Sequence, residues 1–422
     1  MVSIQLTAYY IFTNDSQILS VFGRVLAMNL NPATMEPLIP SEGKYNLSEI
    51  SKNIFINAGA LKNQLQAEKT RQGVADVVRI MNSYYSNLIE GHKTYPRDIE
   101  KALKKNFSTN PQEKDNQLLS VAHIDVEKLM GKKIREEAPN VYSRDFFCWL
   151  HYEFYTRLPQ ALRISYTKSG KAYDIFPGEI RNFNVDVGRH APIAHNHIHD
   201  FLKVFEERYS SKKILPTNRL VAIAAAHHRF AWIHPFGDGN GRVARLFSHA
   251  AMLQEGVGGC GLWTLSRGLA RNKKDYFACL NNADFQRIND LDGRGNLSEK
   301  YLVEFCEFFL KTVLDQINFM SEILNLGSLE KGIRYYIQRI DPIFGKDEQA
   351  GFQLLIAALR DGEIHRGLVP AITGKKQGTA RKILNLALEA QLLESDTPKS
   401  PVRLAFPDKV REIYFPKLYS AE

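Results

Sequence analysis

At 422 residues, 44% of them apolar, the chain is too long for one small core and should bury two or three domains. Its 55 Lys and Arg against 46 Asp and Glu leave a formal charge of +9, which favours anionic partners such as nucleotides or nucleic acid. Four cysteines without C-x-x-C or metal-ligand spacing argue against a disulfide framework, and no signal sequence or run near the roughly 18 apolar residues of a membrane span is visible, so a cytoplasmic protein is expected.

Residues 1–50 mix short apolar runs with Pro32, Pro37 and Pro40 and predict short strands or irregular structure. From about Ser51 the pattern turns helical. Val74, Val77, Val78, Met81, Tyr85, Leu88 and Ile89 recur at spacings of three and four and stop at Gly91, which places Glu90 at a helix C-terminus. "FSTNPQEKDNQ" (107–117) reads as a polar loop, and helices resume through 118–160. Phe183, Val185 and Val187 alternate with polar residues and predict a short strand or hairpin between Gly178 and Gly188. Helical periodicity returns at 217–232, from about 242, and as one block over 272–326, with "NLGSLEKG" (325–332) read as a hinge. Residues 348–422 carry two helical patterns and a turn-rich piece with a strand. Cys148, Cys260, Cys279 and Cys306 are expected as small buried apolar residues, and His227 and His228 as buried or hydrogen-bonded side chains.

Between two of those helices lies "HPFGDGNGRVAR", residues 234–245. A glycine-rich loop feeding a helix is an anion site, because unpaired N–H groups and the helix dipole face the incoming charge. Gly239, Asn240 and Gly241 occupy that junction, and Arg242 and Arg245, three residues apart, can clamp two phosphates of one polyphosphate. Asp238 supplies a hard oxygen beside them, which suits Mg²⁺ held jointly by a carboxylate and substrate phosphate. His234 can act as a general base near neutral pH. Together these are the parts for attack on phosphorus.

The stretch resembles the Fic family motif H-P-F-x-D/E-G-N-G-R-x-x-R at every defined position. The resemblance implies a mainly α protein with a Fic-type helical core and a short β-hairpin flap. It also implies adenylyl transfer, in which the α-phosphate of ATP moves to a Ser, Thr or Tyr hydroxyl of a protein and pyrophosphate leaves. His234 would then be the base and Asp238 the Mg²⁺ ligand. Gly237, Gly239, Asn240 and Gly241 would cradle the phosphates, Arg242 the β-phosphate and Arg245 the γ-phosphate. The intact Gly-Asn-Gly-Arg argues against the phosphorylating branch of the superfamily, and Ala231 stands where many relatives carry an acidic residue. "FPGEIRNFNVDVG" (176–188) is similar to the Fic flap, whose 178–188 stretch would dock the protein target, and Tyr276 falls where relatives approach the adenine.

"SNLIEG", Ser86 to Gly91, resembles the Fic inhibitory motif S/T-x-x-x-E-G/N, so Glu90 is expected to reach Arg245 in the γ-phosphate's place. The implied division is 1–140, bearing the inhibitory helix, 141–328, the Fic core, and 329–422, a winged-helix-like domain. Lys375, Lys376, Arg381 and Lys382 in that last segment would face phosphates if 348–422 binds DNA; docking to protein or a homodimer is the other use of such a module. A nucleotide-sensing DNA-binding regulator, or an enzyme removing AMP with Glu90 positioning water, would use the same loop.

Overall fold

The computed structural model describes residues 31–41, 46–166, 170–185, 190 and 192–418. The strands or irregular structure expected for 1–50 thus lie largely outside the described residues; within it, Pro32–Met35 form one 3₁₀ turn and residues 47–50 already belong to a helix. The first helices are α1 (Leu47–Gln64) and α2 (Glu68–Ile89), the latter burying Val74, Val77, Val78, Met81, Tyr85 and Ile89 as its periodicity predicts. α3 (Pro96–Leu103) and α4 (Pro111–Glu137) follow. The polar loop expected over 107–117 is therefore half helix. Asn110 caps α4 by accepting the Glu113 N–H at 3.2 Å, and Pro111 sits in the first turn where no donor is needed.

α5 (Arg144–Tyr155) is capped by Ser143, which accepts the Phe146 N–H at 3.1 Å, and it turns Phe146, Phe147, Leu150, Phe154 and Tyr155 inward. An antiparallel pair, β1 (Ile164–Tyr166) and β2 (Ala172–Asp174), comes next, with Ser165 opposite Tyr173. Of the strand or hairpin expected between Gly178 and Gly188, the described residues 178–185 run as turns, bends and irregular backbone, and Val187 lies outside the described residues. Arg181 explains the difference. Its N–H donates to Pro235 O at 3.0 Å, its Nε to His234 O at 2.8 Å, and its two terminal nitrogens to Phe183 O at 2.9 Å and Ile193 O at 2.5 Å. One buried guanidinium thus ties Phe183 O, a carbonyl of the expected strand, to the carbonyls of His234 and Ile193.

α6 (Ile198–Tyr209), α7 (Arg219–Ile233) and α8 (Asn240–Gln254) form the centre. From Leu220 to Ala226 every residue of α7 is buried, because small side chains let neighbouring helices close around it. α9 (Leu265–Arg271) precedes the block expected over 272–326, which is two helices, α10 (Lys273–Asn282) and α11 (Glu299–Ile323), with a long connection at 283–298. The expected hinge at 325–332 is instead the start of α12 (Leu326–Tyr335). Asn325 caps it by accepting the Gly327 N–H at 3.0 Å, and Leu329 and Ile333 are buried. Of the four cysteines only Cys306 is fully buried, and Cys260 is exposed, contrary to expectation.

The C-terminal segment contains α13 (Glu348–Asp361), α14 (Val369–Thr373) and α15 (Gln377–Glu389). It ends with the antiparallel pair β3 (Leu393–Glu394) and β4 (Arg403–Leu404), then α16 (Asp408–Tyr414). An isolated bridge joins Ile364 to Val402 beside that pair. This segment lies along α2. Thr70 Oγ1 donates to Leu359 O at 3.0 Å, the Tyr85 hydroxyl donates to Leu418 O at 3.0 Å, and the Phe406 ring lies 3.0 Å from where a methyl on Gly73 would stand. Among the described residues no helix is long and apolar enough to cross a membrane.

Candidate active site

α7 stops at His234, whose backbone turns left-handed at φ 52° while its N–H still closes onto Phe230 O at 3.0 Å. That turn throws the chain back over its own helix end. The ring's Nδ1 lies 3.2 Å from Ala231 O; a carbonyl only accepts, so Nδ1 carries the proton and Nε2 keeps a free lone pair. Burial pushes the His234 pKa down to about 4, the nearby His190 and Arg181 add to this, and the Ala231 bond opposes it. The imidazole is therefore neutral near pH 7.

Asn240 staples the loop: its Oδ1 accepts the Phe236 N–H at 2.9 Å and its Nδ2 donates to Phe236 O at 2.8 Å. Its side chain is thereby committed to the loop's shape rather than to an incoming phosphate. α8 begins after Gly239, at φ 78°, with no side chain capping it, so its first N–H groups are left to an external anion. The Phe183 ring lies over Gly237, where a methyl would come within 2.8 Å of it.

Asp238 accepts a hydrogen bond from the Tyr155 hydroxyl at 2.7 Å and lies 3.3 Å from an Arg242 guanidinium nitrogen. Burial alone would raise its pKa, but Arg242, Tyr155 and the Gly239 N–H outweigh that and hold it below the ordinary carboxylate value. Arg242 is buried over the Phe154 ring at 5.0 Å, and its Nε and Nη1 have no hydrogen-bond partner among the described residues. Orphaned donors on a buried cation fit an anion such as phosphate. No group of three or more His, Cys, Asp or Glu able to hold a metal occurs among the described residues, so Asp238 fits a divalent cation only as one ligand shared with substrate oxygens.

Arg245, one turn further on, is already occupied. Its Nε donates to Ser86 Oγ at 2.9 Å, and Nη2 donates to Ser86 O at 3.0 Å and to Glu90 Oε1 at 2.6 Å. Glu90 comes from the C-terminus of α2, where the Gly91 N–H bonds Leu88 O at 3.1 Å and the His92 N–H bonds Asn87 O at 2.9 Å. These two bonds make a Schellman turn, with Gly91 at φ 92°. Desolvation would raise the Glu90 pKa, but Arg245, with Arg242 behind it, holds it below its usual value. The same carboxylate oxygen lies against Gly241: a methyl there would collide with Glu90 Oε1. Glu90 therefore fills both the arginine fork and the helix N-terminus. Gly91→Ala should lower unfolding stability by about 1 kcal/mol from left-handed strain alone, since no atom lies near enough to clash. Denaturant melts check this; an unchanged midpoint would mean that the turn is not left-handed.

Tyr276 is buried, and its hydroxyl lies 2.8 Å from His227 Nε2. Ser248 donates to Ala244 O at 2.8 Å and so receives the His227 Nδ1 proton, which makes Tyr276 the donor to Nε2. Its ring offers no open face to an adenine and stands behind Arg245, with which its hydroxyl interacts. His228 bonds Asp284 at 3.0 Å, as expected of a buried, satisfied histidine. Sequence reading missed Tyr155 and Arg181, which carry no local signature; only the fold brings them to the loop.

Residues 142–252 match the family model described as Fic/DOC family. Over 87 residues, 21% of this chain, the sequence is 33% identical to protein adenylyltransferase fic-1 of Caenorhabditis elegans. Over 99 residues, 24% of this chain, it is 32% identical to protein adenylyltransferase Fic of Aedes aegypti. The matched segments span only 17% and 20% of those two proteins. The fold is similar to that of a Fic family protein from Desulfovibrio desulfuricans G20, with a TM-score of 0.52 and 17% identity over 87% of this chain and 98% of that one.

Proposed function

With a Fic/DOC-family domain at residues 142–252, this chain is a Fic family protein, and we propose that it is a cytoplasmic protein adenylyltransferase held off by Glu90. The observation that carries the proposal is the Glu90 carboxylate lodged between Arg245 and the start of α8, a carboxyl group in the seat of a phosphate.

ATP would bind with its β- and γ-phosphates against the α8 N-terminus, Arg242 and Arg245, which leaves the α-phosphate facing His234. His234 Nε2 takes the proton of a Ser, Thr or Tyr hydroxyl on a target lying along 178–188. The hydroxyl oxygen bonds to the α-phosphorus, the bond from that phosphorus to the bridging oxygen breaks, and pyrophosphate leaves. Asp238 would hold Mg²⁺, which when bound offsets charge building on the leaving phosphates. The test is incubation of protein with ATP labelled at the α- or the γ-phosphate. Label from α alone should enter protein; label from γ in protein, or from neither in a Glu90→Gly variant, contradicts the reading.

With the free-enzyme His234 pKa near 4, kcat/KM of that variant should fall only as pH drops through about 4, where the base becomes protonated, and stay flat from pH 6 to 8. An acid limb at the ordinary histidine value of about 6.5 would contradict the neutral, half-buried base. For residues 348–418 we propose a winged-helix docking module. Lys376, Arg381 and Lys382 are exposed, but Lys375 is already paired with Asp347 at 2.8 Å and Glu389 shares the helix face, which supports a protein or second-copy contact over a DNA duplex.

A further inference from the structure

Tyr155 ends α5 with 1% of its surface exposed, directly under the loop. Gly239 rests on its ring, so that a methyl there would stand 2.7 Å from Tyr155 Cε2 and 2.8 Å from its hydroxyl. His151 stacks between Tyr155, at 4.3 Å and 22°, and Phe236, at 4.1 Å and 9°. His151 Nδ1 also accepts the Gly178 N–H at 2.9 Å. A column of three rings therefore supports both ends of the loop and the first turn of the flap.

A phenylalanine would fill the same space. The hydroxyl adds a short bond donated to Asp238 Oδ2 at 2.7 Å and accepts a long one from Arg242 Nη2 at 3.5 Å, a nitrogen that also reaches Asp238 Oδ2 at 3.3 Å. The Asp238 side chain nevertheless remains 46% accessible. A carboxylate is a broad two-fold rotor, and two donors on one oxygen stop the rotation.

We propose that Tyr155 is the positioning residue of Asp238: by holding Oδ2 it fixes the carboxylate so that Oδ1 is the oxygen offered to a divalent cation carried on the polyphosphate. This rests on the reading of Asp238 given above. Fixing the ligand before binding removes an ordering cost from the metal step and leaves phosphate contacts unaffected.

The experiment uses the full chain with Glu90→Gly and His234→Ala, which opens the site and stops turnover, and Mn²⁺ as a spectroscopic probe. Tyr155→Phe should weaken Mn²⁺ binding in the presence of ATP by about tenfold, while metal-free ATP binding and the melting temperature stay near the parent's. Equal losses with and without metal, or no loss, would overturn the role of the hydroxyl. Asp238→Asn in the same parent separates the two claims. If Asp238→Asn abolishes Mn²⁺ binding while Tyr155→Phe leaves it intact, the inference alone fails. If Asp238→Asn also leaves it intact, the assignment of Asp238 fails and takes the inference with it.

Discussion

Glu90→Gly should raise labelling of protein by α-labelled ATP about 10²-fold, because misplacement of a reacting centre costs rates of that order. Arg245 Nη2 donates to Glu90 at 2.6 Å and the carboxylate lies on Gly241, so in the proposed binding mode the γ-phosphate would have neither its clamp nor its place at the helix N-terminus. Removing the carboxylate frees both. Arg245 does not collapse when freed, since Ser86 still holds its Nε at 2.9 Å and its Nη2 at 3.0 Å. Arg245→Ala should not activate, although it too breaks the ion pair, because the phosphate loses its clamp with the lock. The double variant should match Arg245→Ala. Activation of Arg245→Ala to the Glu90→Gly level would remove the arginine from the substrate side of the mechanism.

His234→Ala in the Glu90→Gly protein should lower transfer by about 10²–10⁴-fold with ATP affinity nearly unchanged. The ring's Nδ1 is bonded to Ala231 O, and Nε2 is the nitrogen left to take a proton from the incoming hydroxyl. In the proposed binding mode the phosphates would lie elsewhere, against Arg242, Arg245 and the start of α8, so ground-state binding has no reason to suffer. A variant that turns over within a few-fold of its parent would place the base on another residue. Loss of ATP affinity equal to the loss of rate would make His234 a scaffold of the loop.

Much of this site was legible in twelve contiguous residues because a loop, a helix start and two arginines one turn apart need no long-range information. Even so, Asn240 shows the limit: its sequence position suggests a phosphate contact, and its side chain closes the loop on Phe236. The Glu90–Arg245 contact joins residues 155 apart and was readable only through resemblance to a known motif. Tyr155 and Arg181 were not readable. Each lies in a segment whose local pattern is satisfied by something else, an amphipathic helix for Tyr155 and an apparent strand for Arg181. The same limit holds at 183–185, which are not strand among the described residues: alternation signals exposure on two faces but cannot reveal that the Arg181 side chain will take the Phe183 carbonyl. Asn325 is the reverse case: a Gly-containing stretch suggested a hinge, yet an asparagine cap and two buried apolar residues were enough for a helix.

Intact-protein mass spectrometry after incubation with Mg²⁺ and ATP tests most directly whether Glu90 restrains an adenylyltransferase. Autoinhibition predicts an added mass of one AMP on a substantial fraction of Glu90→Gly protein, little or none on the unmodified sequence, and none on Glu90→Gly with His234→Ala. Equal adducts on the unmodified and Glu90→Gly proteins, or an adduct that survives loss of His234, would contradict it.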